Sequence, residues 1–185
     1  HHNWFDNIAG SRLPLQRGGH LHYFNNYMVG SEDGWDVRTK AVGYIQACYF
    51  KDSKAPVHSD REGSLNIDKS EGYDVIYENC RRLMEDYKNI DGTKVDKTLS
   101  VNYTDWVPAQ TDDSYKVNNL DKTADVPAIV QKYAGAGKID IYKVYTDEIP
   151  AEDINEYAAA IDDNPTEYVY DGEGNRITEV STGRS

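Results

Sequence analysis

The sequence predicts an all-β chain wound as a parallel β-helix, because a faint repeat, its spacing and its residue types agree. Three short runs end in an aromatic step, and these are HHNWF at 1–5, YFNNYM at 23–28 and YIQACYF at 44–50. Aligning Asn3, Asn26 and Cys48 gives intervals of 23 (26 − 3) and 22 (48 − 26) residues. Repeats this short and this rich in β-forming residues favour one coil of a parallel β-helix over other solenoids.

Equivalent positions of such a solenoid stack about 4.8 Å apart. Asn3 and Asn26 are therefore predicted to form an amide ladder along one corner, with Cys48 ending it. From about Lys51 to Gln110 the repeat loosens. The polar stretches KDSKAPVHSDREGS and EDYKNIDGTKVDKT are interpreted as long loops, with short strands around Tyr73–Tyr77 and Leu99–Tyr103.

The segment DKTADVPAIVQKYAGAGK predicts one amphipathic helix that lies against the core. Thr123 or Asp125 is a suitable N-cap, Pro127 suits the first turn, and Gly135 or Gly137 suits the end. The apolar positions follow the helical spacing i, i+3, i+4 and i+7, and they are Val126, Ile129, Val130 and Tyr133.

Residues 139–185 differ in character from the rest. PAEDINEYAAAID predicts a second short helix, and TEYVYDGEGNRITEV predicts a hairpin with its turn at DGEGN. The sequence therefore predicts a solenoid domain over 1–138 and an α+β appendage or linker over 139–185.

Composition limits the partners of this chain. Acidic residues outnumber basic ones by 32 to 20, for a net charge of −12, which predicts neither a nucleic-acid nor a membrane partner. No apolar run approaches the roughly 20 residues of a membrane helix, and the HHNWF start suggests an internal beginning. Cys48 and Cys80 allow one disulfide or two buried thiols, and their spacing does not decide between these.

The stretch SRLPLQRGG carries the candidate chemistry, because two arginines bracket a proline. Pro14 fixes its own φ, while Gly18 and Gly19 remove side chains where a ligand can approach the backbone. Arg38 follows Arg17 by 21 residues, close to one repeat, so the solenoid predicts one cationic strip of Arg12, Arg17 and Arg38. Each guanidinium can bind a carboxylate through two hydrogen bonds, which suits a chain of uronic acids.

The segment HHNWFDNIAGSRLPLQRGGHLHYFNNYM closely resembles the signature of the pectate lyases of polysaccharide lyase family one. In that family an HHN-aromatic step, R-x-P-x-x-R-x-G and an NN pair occur in this order. The likeness continues through WDVRTK, APVHS at 55–59 and ADVPAIVQKYAGAGK, over residues 1–138. It implies a right-handed parallel β-helix, here the carboxy-terminal half, from a secreted, calcium-dependent enzyme that cleaves polygalacturonate by β-elimination.

The resemblance also implies roles for the three arginines. Arg12 matches the residue proposed to abstract the C5 proton, Arg17 matches a neighbouring carboxylate-binding arginine, and Arg38 matches a further substrate arginine across a one-residue gap. The calcium-binding acids of the family lie upstream of the HHN step, so we expect a fragment without the calcium site. NIDGTKVD lacks the spacing of a calcium loop, and His20 and His22 share a strand face without an evident third metal ligand.

Two other functions remain open from the sequence. A pectin lyase would act on methylated polymer without calcium, although three arginines favour the acid form. A non-catalytic carbohydrate-binding or adhesion solenoid, or an inactive truncated product, would explain the absent upstream coils. For the leading hypothesis we expect a monomer whose partner is polygalacturonate.

Overall fold

The structure is a computed structural model that describes residues 1–109 and 120–135, together with the backbones of strands at 166–170 and 176–181. The chain divides into two compact units, His1–Lys138 and Ile139–Ser185. Twelve strands follow one another in the described part of the first unit: β1 (Trp4–Asp6), β2 (Leu15–Arg17), β3 (His20–Phe24), β4 (Tyr27–Val29), β5 (Asp33–Arg38), β6 (Val42–Gln46), β7 (Tyr49–Lys51), β8 (Ala55–Ser59), β9 (Ser64–Ile67), β10 (Ile76–Glu78), β11 (Arg82–Met84) and β12 (Lys97–Leu99).

Ten of these strands form three parallel sheets from successive coils of the chain, and β11 and β12 form a separate two-stranded parallel sheet. Sheet A has the order β1-β4-β7-β10, sheet B the order β2-β5-β8, and sheet C the order β3-β6-β9. In sheet A, Trp4 pairs with Tyr27, Tyr27 with Tyr49, and Tyr49 with Ile76. Successive coils therefore take 23, 22 and 27 residues. The predicted parallel β-helix is confirmed. The predicted alignment of Asn3, Asn26 and Cys48 is confirmed as well, because these residues directly precede the paired Trp4, Tyr27 and Tyr49.

The interior is a column of side chains stacked in register. Phe5 pairs with Met28, Met28 with Phe50, and Phe50 with Tyr77. The last three are fully buried, and the rings of Phe50 and Tyr77 stack at 5.4 Å. Burying a large apolar side chain stabilises a fold by about 1.5–3 kcal/mol, so this column alone is a substantial part of the core.

Sheets B and C meet at a corner where two residues of each coil adopt left-handed backbone. Gly18 and Gly19 have φ of 67° and 68°, and the pairs Thr39–Lys40 and Arg61–Glu62 repeat this conformation in the next two coils. The glycine pair thus has a conformational role, because glycine takes positive φ without strain. The sequence had suggested close approach of a ligand as the reason for these glycines.

The prediction of a long loop at KDSKAPVHSDREGS is wrong, because this stretch contains β8 and the first residue of β9. Ala55 and Val57 are buried in the core, whereas the charged residues that suggested a loop lie at the corners on either side. The second predicted loop is present between β11 and β12. Neither of the two predicted short strands has the predicted bounds. The strand predicted at Tyr73–Tyr77 overlaps β10 only at Ile76 and Tyr77. The one predicted at Leu99–Tyr103 overlaps β12 only at Leu99 and otherwise contains one bridge, between Leu65 and Tyr103.

The predicted amide ladder joins the first two coils. Asn26 Oδ1 accepts hydrogen bonds from Asn3 Nδ2 at 2.9 Å and from Asn3 N at 3.0 Å. Cys48 follows in the same column, where its thiol donates to the carbonyl of Tyr23 at 3.6 Å. The ladder thus ends at a buried thiol, as expected.

Cys48 and Cys80 are both free and fully buried. Burial raises the pKa of each thiol to about 12, so both stay protonated near neutral pH, whereas the thiolate is the reactive form. We expect an aromatic disulfide reagent to label neither cysteine in the folded chain, and to label both in denaturant. Rapid labelling under native conditions would show that these thiols are accessible.

Helix α1 (Val126–Tyr133) follows a 3₁₀ turn at Thr123–Asp125 and covers part of the outer face of sheet A. Val126 and Val130 are buried there with Tyr27. The predicted core contact of Tyr133 is wrong, because this residue ends the helix, is 46% exposed and lies beneath the ammonium of Lys132.

Contacts other than a side-chain cap fix the start and the end of α1. Asp125 occupies the N-cap position, but its side chain makes no capping hydrogen bond. The hydroxyl of Thr123 instead donates to the carbonyl of Asp74 at 2.7 Å, which ties the turn to the coil below. Gly135, with φ of 108°, follows the helix end. No helix in the described residues has the length and apolar character needed to cross a membrane.

In the second unit, β13 (Thr166–Tyr170) pairs antiparallel with β14 (Arg176–Ser181). These are the strands of the hairpin that the sequence predicts. The predicted helix at PAEDINEYAAAID and the hairpin turn lie outside the described residues.

Candidate active site

The loop that carries SRLP joins β1 to β2 and is held against β5. Leu13 N donates to the carbonyl of Gly34 at 2.8 Å, and Asp36 N donates to the carbonyl of Pro14 at 3.0 Å. Two backbone hydrogen bonds on either side of the Leu13–Pro14 step therefore fix this loop to sheet B.

Arg12 is exposed and has a φ of 79°, the largest positive value among the non-glycine residues that the structure describes. Most of the other positive values recur at the corners of successive coils, whereas Arg12 lies in the β1–β2 loop. A side chain in left-handed backbone costs about 1 kcal/mol, and such strain concentrates at functional sites. Within the described residues its guanidinium makes no hydrogen bond or ion pair, so it is available to a ligand.

Arg17 and Arg38 are direct partners in the register of sheet B. Trp35 and Val37 are buried in the core, so Arg38 faces outward, and the exposed Arg17 faces the same way. The two Cα atoms lie about 4.8 Å apart, the spacing of paired strands. Arg12 lies between β1 and β2 in the first coil, where it borders an opening that is also lined by Leu13, Pro14, Leu21 and Tyr23.

The predicted cationic strip of Arg12, Arg17 and Arg38 is not uniformly positive, because Arg38 is bound by two carboxylates. Arg38 Nε and Nη2 lie 2.8 Å and 2.7 Å from the two oxygens of Asp36, and Nε lies 3.0 Å from Asp60 Oδ1. This bidentate pair orients the guanidinium and leaves its Nη1 edge without a partner among the described residues. Arg17, in contrast, has no ion-pair partner in the part of the chain that the structure describes.

His58 is a site residue that the sequence did not single out. It pairs with Asp36 in the register of sheet B, and its Nε2 lies 3.3 Å from Asp36 Oδ1. Its Nδ1 lies 3.6 Å from Asp33 Oδ1. Two signals could have found this cluster: Asp36 and Arg38 are two residues apart on one strand, and His58 follows Asp36 by one 22-residue repeat.

A cleft of about 530 Å³ opens on the same side of the coils. Its lining combines charged groups with small residues, and comprises Gly10, Ser11, Glu32, Asp33, Lys54, Ala55, His58, Arg82 and Leu99. Ser11 precedes Arg12 directly, so the cleft and the arginine loop are continuous along the chain.

Asp36 is the buried member of this cluster, with only 1% of its side chain exposed. We expect Asp36→Asn to lower the free energy of unfolding by about 2 kcal/mol, because it removes a charged, bidentate acceptor and leaves Arg38 partly buried without it. Denaturant titration measures the change. Asp60→Asn is the control: Asp60 contacts the same guanidinium but is 41% exposed, so its loss should cost below about 1 kcal/mol. Equal effects would contradict the assignment.

The described residues do not fit a calcium site. They contain no group of three or more His, Cys, Asp or Glu side chains arranged to hold a metal ion. Calcium takes six to eight oxygen ligands, whereas both oxygens of Asp36, the buried acid of the cluster, are bound by the guanidinium of Arg38.

His20 and His22 make separate aromatic contacts on the outer face of sheet C. The ring of His20 lies against Trp106 at 4.7 Å, and that of His22 lies between Phe24 and Tyr44. Burial lowers the pKa of His22 to about 4, so this imidazole is neutral at physiological pH. These contacts are those of packing side chains.

The sequence of the chain is similar to those of known pectate lyases. The family model described as pectate lyase matches residues 1–139. Pectate lyase 3 of Pectobacterium carotovorum is 43% identical over 65 residues, and pectate lyase B of Dickeya chrysanthemi is 38% identical over 65 residues. Each alignment covers 35% of this chain and 17% of the relative, so the match spans about a sixth of those proteins. A solved pectate lyase variant from Xanthomonas campestris is 23% identical, has a TM-score of 0.41, and is covered to 39% by 75% of this chain.

Proposed function

The chain belongs to the pectate lyase family, and from this premise we propose that it forms part of an enzyme that cleaves α-1,4-polygalacturonate by β-elimination. The observation that carries the proposal is the placement of Arg17 and Arg38 on adjacent rungs of one sheet face, beside a loop fixed to the same sheet. Guanidinium groups about one rung apart suit a polymer that carries a carboxylate on every sugar.

The reaction breaks the glycosidic bond without adding water. A base takes the proton from C5, the released electron pair forms the C4–C5 double bond, and the C4–O4 bond breaks so that O4 leaves with its electrons and gains a proton from solvent. The C5 proton lies next to a carboxylate and is weakly acidic, so charge must be neutralised as electrons move onto that carboxylate.

We assign the base to Arg12 and carboxylate binding to Arg17 and Arg38. A guanidinium ordinarily stays protonated in proteins, so Arg12 must lose a proton within the substrate complex before it can accept one from C5. Arg17 has no competing ion pair in the described residues, and the unpartnered Nη1 edge of Arg38 is positioned by Asp36. Both can therefore bind a uronate without breaking a contact.

The complete enzyme is proposed to be a secreted, calcium-dependent monomer whose calcium ligands lie upstream of this chain. Calcium neutralises carboxylate charge in such a site. The steps assigned to this chain use its own arginines. This chain is then the carboxy-terminal part of the catalytic solenoid.

The test is the absorbance of the unsaturated uronate that β-elimination produces. The complete protein with calcium should generate this band from polygalacturonate, and a chelator should abolish it. Turnover of methylated polymer in the presence of chelator would instead identify a pectin lyase. Binding of either polymer without the band would identify a non-catalytic module.

A further inference from the structure

The pairing of Arg17 with Arg38 is electrostatically unfavourable on its own. The two residues are register partners on adjacent strands and face the same side of sheet B, and like charges directly opposite each other repel. An Arg38 side chain without other contacts would therefore turn away from Arg17. Asp36 and Asp60 oppose this, because both carboxylates contact Arg38 Nε, at 2.8 Å and 3.0 Å, and Asp36 also binds Nη2 at 2.7 Å.

Asp36 can hold Arg38 in one orientation only if its own carboxylate is held. Its side chain is 1% exposed, and a buried carboxylate needs several donors in place of water. Arg38 supplies two of them. The third donor within reach is His58 Nε2, which lies 3.3 Å from Asp36 Oδ1, the oxygen that also accepts from Arg38 Nε. The carboxylate is therefore contacted from its own strand, β5, and from the neighbouring strand, β8.

The imidazole ring of His58 has little freedom to leave Asp36. The two residues are register partners in sheet B, and only 18% of the His58 side chain is exposed. On the other side of the ring, Nδ1 lies 3.6 Å from Asp33 Oδ1. That oxygen is itself fixed, because it accepts a hydrogen bond from Gly34 N at 3.1 Å. The ring thus lies between two carboxylates of the preceding coil.

We propose that His58 is a positioning residue for substrate binding, which acts through Asp36 to hold Arg38 in the orientation that leaves its Nη1 edge available to a galacturonate carboxylate. The inference deepens the proposed function and rests on it for the identity of that carboxylate. One outward column of sheet B, Asp36 and His58, would then support the neighbouring column, Arg17 and Arg38.

The experiment compares His58→Leu with His58→Gln in the complete protein, with calcium and polygalacturonate. Leucine fills a similar volume without a donor, whereas the glutamine amide can still donate to Asp36. His58→Leu should raise KM about fivefold, part of what a hydrogen bond to a charged group contributes. It should leave kcat within about twofold, because Arg38 binds the same carboxylate before and during the reaction. His58→Gln should keep KM within about twofold of the parent value.

A second variant and a matched control accompany this pair. His58→Ala also lacks a donor and should act like leucine, so it supplies the measurement if leucine prevents folding. The control is His22→Leu. His22 is likewise a partly buried histidine with a side-chain hydrogen bond, to Gln46 at 3.1 Å, but it lies on sheet C. Its replacement should lower the melting temperature without changing KM.

A double variant tests whether His58 acts through Arg38. In an Arg38→Gln background the guanidinium is absent, so His58→Leu should change KM by less than about 1.5-fold. A readout that does not need the reaction is the solvent exchange of the Arg38 Nε proton, followed by NMR and assigned with Arg38→Lys. His58→Leu should speed this exchange at least about threefold, whereas His58→Gln should not.

The outcomes distinguish the positioning role from the lyase assignment. The positioning role is wrong if His58→Leu keeps the parent KM, if His22→Leu raises KM equally, or if the effects of His58→Leu and Arg38→Gln multiply in the double variant. If the complete protein releases no unsaturated uronate, the lyase assignment fails. Faster Arg38 exchange in His58→Leu alone would then still support the role of His58 in holding Arg38, and unchanged exchange would overturn it.

Discussion

Replacing Arg12 by alanine is expected to lower the rate of polygalacturonate β-elimination by about 10²- to 10⁴-fold, the usual contribution of a general base. The effect should appear in kcat, because the proton is removed after the substrate has bound. The measurement is the initial rate of unsaturated-uronate absorbance by the complete protein with calcium. A rate within twofold of the parent enzyme would exclude Arg12 as the base.

This substitution separates chemistry from folding. Alanine meets the same left-handed backbone as arginine at this position, so the strain is not increased. Arg12 is exposed and makes no hydrogen bond or ion pair with the described residues, so its removal leaves no buried cavity. Thermal melting should be unchanged within a few degrees, and Arg81→Ala, which deletes an equally long cation bound to Asp96, should retain full activity.

Gly34→Ala is expected to lower the free energy of unfolding by about 3 kcal/mol or more, at the upper end of overpacking effects. A Cβ at this position would lie 1.9 Å from the carbonyl oxygen of Pro56. The obstacle is backbone in the neighbouring strand, so relief requires β5 and β8 to separate. Denaturant or thermal unfolding measures the loss, and an unchanged melting temperature would contradict the close approach of the two strands.

The control for Gly34 is Gly19→Ala. Gly19 has a φ of 68° and open space around its Cβ position, so only backbone strain of about 1 kcal/mol is expected. Gly34 also accepts the hydrogen bond from Leu13 N that fixes the SRLP loop. Its replacement should therefore reduce β-elimination as well, whereas the change at Gly19 should not.

The parallel β-helix could be predicted from the sequence because its repeat is visible in short segments of the chain. The intervals between Asn3, Asn26 and Cys48 anticipate the register of sheet A, and the 21-residue interval between Arg17 and Arg38 anticipates their pairing in sheet B. In a solenoid, residues that contact each other in neighbouring coils are one repeat apart along the chain, so a periodic sequence pattern reports tertiary contacts. The substrate roles of the three arginines stay predictions.

The features that the sequence did not predict depend on side-chain geometry and on neighbouring elements, which a periodic pattern does not report. The strand β8 was hidden because charged corner residues flank only five strand residues, among them a proline. The carboxylates on Arg38 were missed because an ion pair needs side-chain geometry as well as register. Tyr133 follows the apolar helical spacing, yet it is the last residue of the helix and stays largely exposed.

The third coil is five residues longer than the second, since 27 residues separate Tyr49 from Ile76 and 22 separate Tyr27 from Tyr49. The surplus lies between β9 and β10, while every strand of sheet A keeps its partner. Evolution and protein engineering can thus lengthen the loops between the sheets without disturbing the pairing of the strands. New peptide segments grafted there should be carried on the flank of an unaltered scaffold.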